Sequence, residues 1–355
     1  MVRNPRLLIA GGYGVFGRLL AAELLRTTTV EVVIAGRDPS KARRTCRDLD
    51  RSWQGRVEPM AVDLARPGEL RRAAEGCVAV VCTAGPFQGL SAGIVGEVVE
   101  AGAHWVDIAD ASGWVLGILE DSELGERARV AGVAVGTGLS TLPALSGVLA
   151  GALLERVARV RTARVVLSIG NRNRKGAASI ASALVIGSSD EVRIETPLGP
   201  RLAYRIEAPD ERLLTNGQLE TTCWVALESS IARRVASLTR SRSANRSSTE
   251  VMGRARFLSR ISSLWRRGTR GGCVHVEFLD DLGSGAAAAF VGSDQRMAIL
   301  PAAIVVQRLL DGSAQLRGVI RPVDWMPIVG WFDELRPRGI QALWREIGEG
   351  PRPAN

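Results

Sequence analysis

The sequence predicts an α/β protein: a doubly wound parallel sheet, then a second α+β domain with a mixed or antiparallel sheet. Three observations predict it. Short β-branched runs alternate with helical patterns through the first 150 residues. A glycine cluster, GGYGVFG (11–17), joins the first apolar run to the first helical pattern. Beyond residue 150 the alternation gives way to paired apolar runs separated by turn residues.

The elements follow in order. RLLIAG (6–11) reads as a short buried strand, and 17–26 as a helix. VEVVIAG (30–36) is a second strand, and 38–51 a polar-faced helix with Pro39 in its first turn. VEPMAVD (57–63) is a third strand, followed by a helix over 66–76. CVAVVCTAG (77–85), a helix over 91–102, HWVDIA (104–109), a helical stretch around 119–131 and GVAVGTG (132–138) complete six strands with helical separators. The first domain is set at 1–150.

The second domain, 151–295, opens with a strand over 158–170 and a small-residue helix over 175–188. Hairpins are expected at 192–209, turning at 197–200, and at 271–292. Between them the run 233–270 holds eleven arginines and a single acid, Glu250. It reads either as a solvated, mobile basic segment or as a contact for an anionic surface or carrier partner. Residues 296–355 read as C-terminal helices, with apolar residues at helical spacing over 293–312. Trp325, Trp331 and Trp344 there suit core or interface anchors better than a ligand cage.

Composition narrows the function. The 355 residues are 46% hydrophobic, enough for a sizeable core. The net charge of +9 is carried almost wholly by arginine, Lys41 and Lys175 being the only lysines. That balance suits anionic cofactors and substrates. A nucleic-acid partner is not expected, because no reading motif is present and two Tyr and six Phe offer few stacking rings. Five scattered cysteines with no CxxC pair imply a reducing, cytoplasmic setting. Two distant histidines, His104 and His275, do not suggest a metal site. The N-terminal apolar run leads into glycines, so no secretory leader is read there. The uncharged run 130–154 is long enough to span a bilayer. Gly136, Gly138 and Pro143 break it, and a strand, a turn and a buried helix are expected instead of a transmembrane segment.

Gly12, Gly14 and Gly17 satisfy G-x-G-x-x-G between a strand and a helix. A tight strand-to-helix turn needs residues without Cβ, and a pyrophosphate must approach the main chain closely. The helix N-terminus then offers free N–H groups and the positive end of its dipole. The end of the second strand decides between dinucleotides. An acid there would bind the ribose hydroxyls of NAD, but this chain reads IAGRDPSK, with Gly36 at that position and Arg37 next. Arg37 can pair with a 2′-phosphate, and Lys41 adds charge one turn later. NADP(H) is therefore favoured; with the register moved by one, Asp38 would instead reach the ribose. Asp63 suits either the adenine edge or a helix cap. Gly85 and Pro86 suit either a backbone running along the nicotinamide ribose or a simple turn.

Taken together the chain resembles the saccharopine dehydrogenase-like family. GGYGVFGRLLAAEL, IAGRDPSKA, AVDL, TAGPF and AGAHWVDIAD occur in that order over about 6–145, and GTGLSTLP and LLDGSAQLRGVIRPVD follow. The resemblance implies a Rossmann-type domain with NADP(H), a second domain that shapes a substrate pocket and often pairs subunits as a homodimer, and a C-terminal return to the first domain. By motif, Gly12, Tyr13, Gly14, Val15, Phe16 and Gly17 would surround the pyrophosphate. Arg37 and Lys41 would hold the 2′-phosphate, and Gly85, Pro86 and Phe87 would flank the nicotinamide ribose. The chain departs from the pattern where the substrate should sit. Ser140 and Leu145 stand where aspartates are common, and ASGW replaces a Gly–acid pair after WVDIAD.

A hydride-transfer enzyme needs a positioned electrophile and usually one proton from the protein. Asp107, Asp110, Ser140, Thr141 and His104 are the candidates near the expected cleft. Asp107, at a strand's carboxyl end, is the best placed as a catalytic acid, or else it is a structural cap. His104 starts its strand at the wrong end. The expected activity is NADPH-dependent reduction of a C=N or conjugated C=C bond in a small or carrier-bound substrate. The alternative is an NADP(H)-binding regulator or scaffold without turnover.

Overall fold

The computed structural model describes residues 4–53, 55–157, 159–173, 190–214, 219–228 and 268–348. The helix expected over 175–188 lies outside the described residues, as does the basic run 233–270 up to residue 267. The chain divides into two compact units, one of Met1–Ser140 with Ala298–Trp325, the other of Thr141–Met297 with Met326–Asn355.

The first unit alternates strand and helix: β1 (Arg6–Ala10), α1 (Val15–Thr27), β2 (Glu31–Gly36), α2 (Pro39–Asp50), β3 (Val57–Ala61) and α3 (Glu69–Ala74). Then come β4 (Ala79–Cys82), α4 (Gly93–Glu100), β5 (His104–Asp107), α5 (Ser112–Glu120), α6 (Ser122–Val130) and β6 (Ala134–Gly136). The sheet is parallel, in the order β3-β2-β1-β4-β5-β6. This is the doubly wound arrangement, with the order reversing between β1 and β4. Central strands covered on both faces must be apolar throughout. Leu7–Ile9, Val32–Ala35 and all of β4 are accordingly buried. Pro59 cannot donate to a ladder and lies in β3, at the edge.

The second unit carries α7 (Ser146–Leu154), β7 (Thr162–Ile169), β8 (Glu191–Thr196), β9 (Gly199–Ile206), α8 (Asp210–Leu213), β10 (Glu220–Leu227), β11 (Gly272–Leu279) and β12 (Gly285–Gly292). Both expected hairpins are present, β8–β9 and β11–β12. β10 pairs parallel to β7, so the sheet is mixed. Val166, Ile194, Ala203 and Ala226 form a buried cluster, with Val192 and Trp224 against it. The buried Glu277 is held by Arg164 Nη1 at 3.0 Å and Arg345 Nη2 at 3.4 Å.

The last segment serves both units. α9 (Leu300–Leu310) and β13 (Gly318–Ile320) join the first, β13 extending its parallel sheet beyond β6. α9 has eight buried residues and packs on α1 and β5. Trp325 closes the return: a Cβ on Gly136 would lie 2.6 Å from its indole. α10 (Ile328–Leu335) and β14 (Gln341–Ile347) join the second unit, β14 pairing antiparallel with β12. The two strands correct the helical expectation for 318–347. β13 has three residues, too few to show alternation. From Gln341 to Glu346 every residue of β14 is exposed, so neither face carries a burial signal.

His104 begins β5, and its Nδ1 accepts the Ala134 N–H at 2.9 Å. That bond requires an unprotonated nitrogen. Burial, with help from Arg317, lowers the imidazole from 6.5 to about 4. The unfolded chain thus binds more protons between these values. This contribution is complete above about pH 6.5 and is lost as pH falls toward 4. For a partly exposed ring it amounts to about 1–3 kcal/mol. Denaturant titrations across this range should show stability falling on acidification, and His104→Gln, which keeps an acceptor, should flatten the slope.

Candidate functional site

The site grows from the turn after β1. Gly11 has φ +77°, the left-handed conformation that favours glycine, and a Cβ there would lie 2.8 Å from Ala84 N. Gly12 N–H donates to Ile9 O, and Gly14 N–H to Gly11 O at 2.8 Å. At Gly17 a Cβ would stand 2.4 Å from Gly11 O and 2.7 Å from Gly12 Cα. Backbone lies against backbone, so α1 can press this closely on the turn only with glycine at 17.

The N-terminus of α1 is left open. Its N-cap, Gly14, has no side chain to cap with, and the first turn holds no acid. The first N–H groups of a helix have no acceptor one turn back. α2 shows the contrast: Asp38 Oδ1 accepts from Ser40 N–H at 3.0 Å and Lys41 N–H at 3.1 Å, so that helix carries its own anion. An uncapped 13-residue helix behind a loop with glycine at 11, 12 and 14 fits a pyrophosphate.

At the end of β2 the expected residues divide. Arg37 is exposed, and no partner is recorded for its guanidinium among the described residues. Lys41 Nζ lies 3.0 Å from Asp38 Oδ2. Asp38 is engaged through both oxygens, and Lys41 and its own N-cap bonds hold its carboxyl below the usual range. Tyr13 reaches across from the glycine loop, its hydroxyl accepting the Asp38 N–H at 3.3 Å.

Asp63 makes a local turn: its Oδ1 accepts from Ala65 N–H at 3.1 Å, and its own N–H donates to Glu69 Oε2. The N-cap of α3 is Gly68, so Asp63 does not cap that helix. After β4, Thr83 Oγ1 donates to Ala10 O at 3.0 Å and ties the strand to β1. The Gly85–Pro86 bond is cis. Phe87 is buried, its ring 5.4 Å from that of Trp114. Burial pushes the Cys82 thiol up to about 12, so it is not a nucleophile.

Asp107 is fully buried and surrounded by donors. Its Oδ1 accepts from Ala109 N–H (3.0 Å), Thr137 Oγ1 (3.1 Å) and Gly138 N–H (2.9 Å). Its Oδ2 accepts from the indoles of Trp105 (2.9 Å) and Trp114 (3.0 Å). Burial dominates and raises the carboxyl above the usual range, against the lowering pull of the bonds from Trp114, Gly138, Trp105 and Ala109. Three donors on Oδ1 and two on Oδ2 fill the carboxyl's accepting capacity. This geometry corrects the expectation of Asp107 as the catalytic acid: it is a structural hub with no open lone pair for substrate.

Sequence reasoning missed the partners. Trp105 stands two residues before Asp107, on the same face of a strand, and Trp114 is the tryptophan of the departing ASGW. Ser140 Oγ donates to Ala298 O at 2.9 Å, and Thr141 is buried. Asp110, three residues past the hub, is exposed. Among the described residues no group of three His, Cys, Asp or Glu could hold a metal ion, and no helix is long and apolar enough to cross a membrane.

Residues 7–130 match the family described as saccharopine dehydrogenase NADP binding domain. Among solved structures, the chain is similar to an apo saccharopine dehydrogenase (L-Glu forming) from Saccharomyces cerevisiae. The identity is 11% and the TM-score 0.65, over 97% of this chain and 100% of that one. A dehydrogenase (MviM) from Clostridium difficile gives 10% identity and TM-score 0.43, over 95% and 100%. GenD2 from gentamicin A biosynthesis, in complex with NAD, gives 14% and 0.43, over 98% and 97%. At these identities the likeness is one of fold. No curated protein matches the chain.

Replacing Asp107 with Asn puts an NH2 group among five donors. Loss of charge-assisted bonds and one facing donor pair should cost about 2–4 kcal/mol. Asp107→Asn should therefore lower the midpoint of thermal unfolding by several degrees in the absence of any ligand; an unchanged midpoint would contradict the hub role.

Proposed function

We propose that this chain, built on a saccharopine dehydrogenase-like NADP-binding domain, is an NADPH-dependent oxidoreductase. It passes a hydride to a C=N or conjugated C=C bond of a small or carrier-bound substrate. The observation that carries the cofactor choice is the end of β2. No acid stands at Gly36, Asp38 is engaged by α2 and Lys41, and Arg37 is exposed with no guanidinium partner among the described residues. A 2′-phosphate meets a planar cation there; a bare ribose meets no acceptor side chain.

The nicotinamide supplies the hydride chemistry when bound. The chain's own residues bind and orient. The uncapped N-terminus of α1 takes the pyrophosphate, with Gly12, Gly14 and Gly17 keeping side chains out of its way. The turn Gly85–Phe87 lies at the carboxyl end of β4, on the other side of the switch point, where the nicotinamide half belongs. With Asp107 engaged, the accessible acid at the end of β5 is Asp110, which we assign as the proton donor. The absence of a charged group at Ser140 suits an uncharged reacting centre.

Arg37→Ala should weaken NADPH by about 10–100-fold, the size of one charge-assisted pair, and NADH by less than about threefold. Titration of intrinsic or nucleotide fluorescence measures both, and equal weakening would remove the phosphate assignment. Once a turned-over imine or enoyl substrate is found by NADPH oxidation, Asp110→Asn should lower kcat by about 100-fold or more without changing the NADPH Kd. Tight NADPH binding with no oxidation across imine, enoyl and cell-extract panels would favour a regulator or scaffold instead.

A further inference from the structure

Gly36 was read above as a position that lacks an acid. The structure shows more. A Cβ built on Gly36 would lie 2.5 Å from Cε1 of Tyr13, 2.8 Å from its Cζ and 2.9 Å from its hydroxyl. The phenol ring fills the volume into which any side chain at 36 would project. It is held there from two sides. Its hydroxyl accepts the Asp38 N–H at 3.3 Å, and Lys41 Nζ stands 5.9 Å from the ring centroid while bound to Asp38.

Building on the reading of this corner as the 2′-phosphate side, we infer that Tyr13 is a specificity-determining residue that bars NAD-type recognition. The chain does not merely lack an acid at the end of β2; a side chain in the glycine loop occupies the acid's place. Tyr13 also couples two parts of the site. It belongs to the turn between Gly12 and the α1 N-terminus, and its ring closes the wall beside Gly36 and Lys41. An aspartate at 36 would have to push the ring out of that wall. Doing so breaks the bond to Asp38 N–H and removes the surface beside Lys41. A single substitution to the NAD-type residue should therefore damage NADPH binding and gain nothing for NADH. The acid becomes useful only when the ring is also removed.

The test compares four full-chain variants, Gly36→Asp, Tyr13→Ala, Gly36→Asp/Tyr13→Ala and Gly36→Ala, with the unaltered protein. Dissociation constants for NADPH and NADH are read by fluorescence titration, and folding by thermal unfolding. Gly36→Asp should weaken NADPH about tenfold or more and leave NADH no tighter than in the unaltered protein. The double variant should bind NADH about tenfold more tightly than Gly36→Asp alone. Gly36→Ala adds only the Cβ. It should weaken NADPH, and adding Tyr13→Ala should recover part of that loss, which tests the steric contact even if the aspartate variants fail to fold. The inference is overturned if Gly36→Asp alone gains NADH as well as the double variant does. It is equally overturned if Tyr13→Ala relieves neither substitution at 36. A different result, unaltered protein that binds NADH as tightly as NADPH, would sink the cofactor reading while the single-versus-double comparison still decides the role of the ring.

Discussion

The closeness of α1 to the turn after β1 is the constraint on which the site depends. Gly17 has no room for even one carbon against Gly11 O and Gly12 Cα. Because the helix enters this tightly, its uncapped N-terminus comes to the carboxyl edge of the sheet, where the strand order reverses. The same turn puts Gly11 against Ala84 after β4 and carries Tyr13 over Gly36 at the end of β2. A helix displaced by one methyl group would move all of these neighbours together, since close-packed backbone cannot absorb a shift locally.

The other half of the edge is fixed by a different force. Asp107 is a polar group buried in an apolar setting, and five converging donors offset the cost of that burial. Those donors come from β5, the turn after it, the segment after β6 and helix α5, so one carboxylate joins four pieces of chain. Thr83 plays a smaller version of this part between β4 and β1. Polar groups with every bond made belong to the scaffold. The groups left open, the N–H groups of α1 and the guanidinium of Arg37, are those that a ligand can use. The same distinction separates Arg37 from Lys41, whose ammonium is already paired.

The second unit is held differently. Its sheet is mixed, and a buried Glu277 is compensated by arginines from β7 and β14. β14 lies at the sheet edge with exposed residues on both faces. Such a strand is defined by pairing with β12 rather than by its own pattern.

The first six parallel strands, the two hairpins of the second unit and the glycine turn are legible in the residues alone. These are set by local chemistry: continuous apolar runs such as LLIA and VVIA, turn residues at fixed spacing, and glycine where no Cβ fits. The nicotinamide dinucleotide and the missing acid at Gly36 were legible for the same reason. That β13 and β14 are strands, that Asp107 is a hydrogen-bonded hub, and that Tyr13 occupies the space beside Gly36 emerges from the folded chain alone. Each depends on partners distant in sequence: β6 and β12 for the strands, Trp114 and Gly138 for Asp107, and Gly36 for Tyr13. A carboxylate at a strand end has the same local pattern whether donors surround it or solvent does. What differs is the set of groups that folding brings to it, and no spacing along the chain records that.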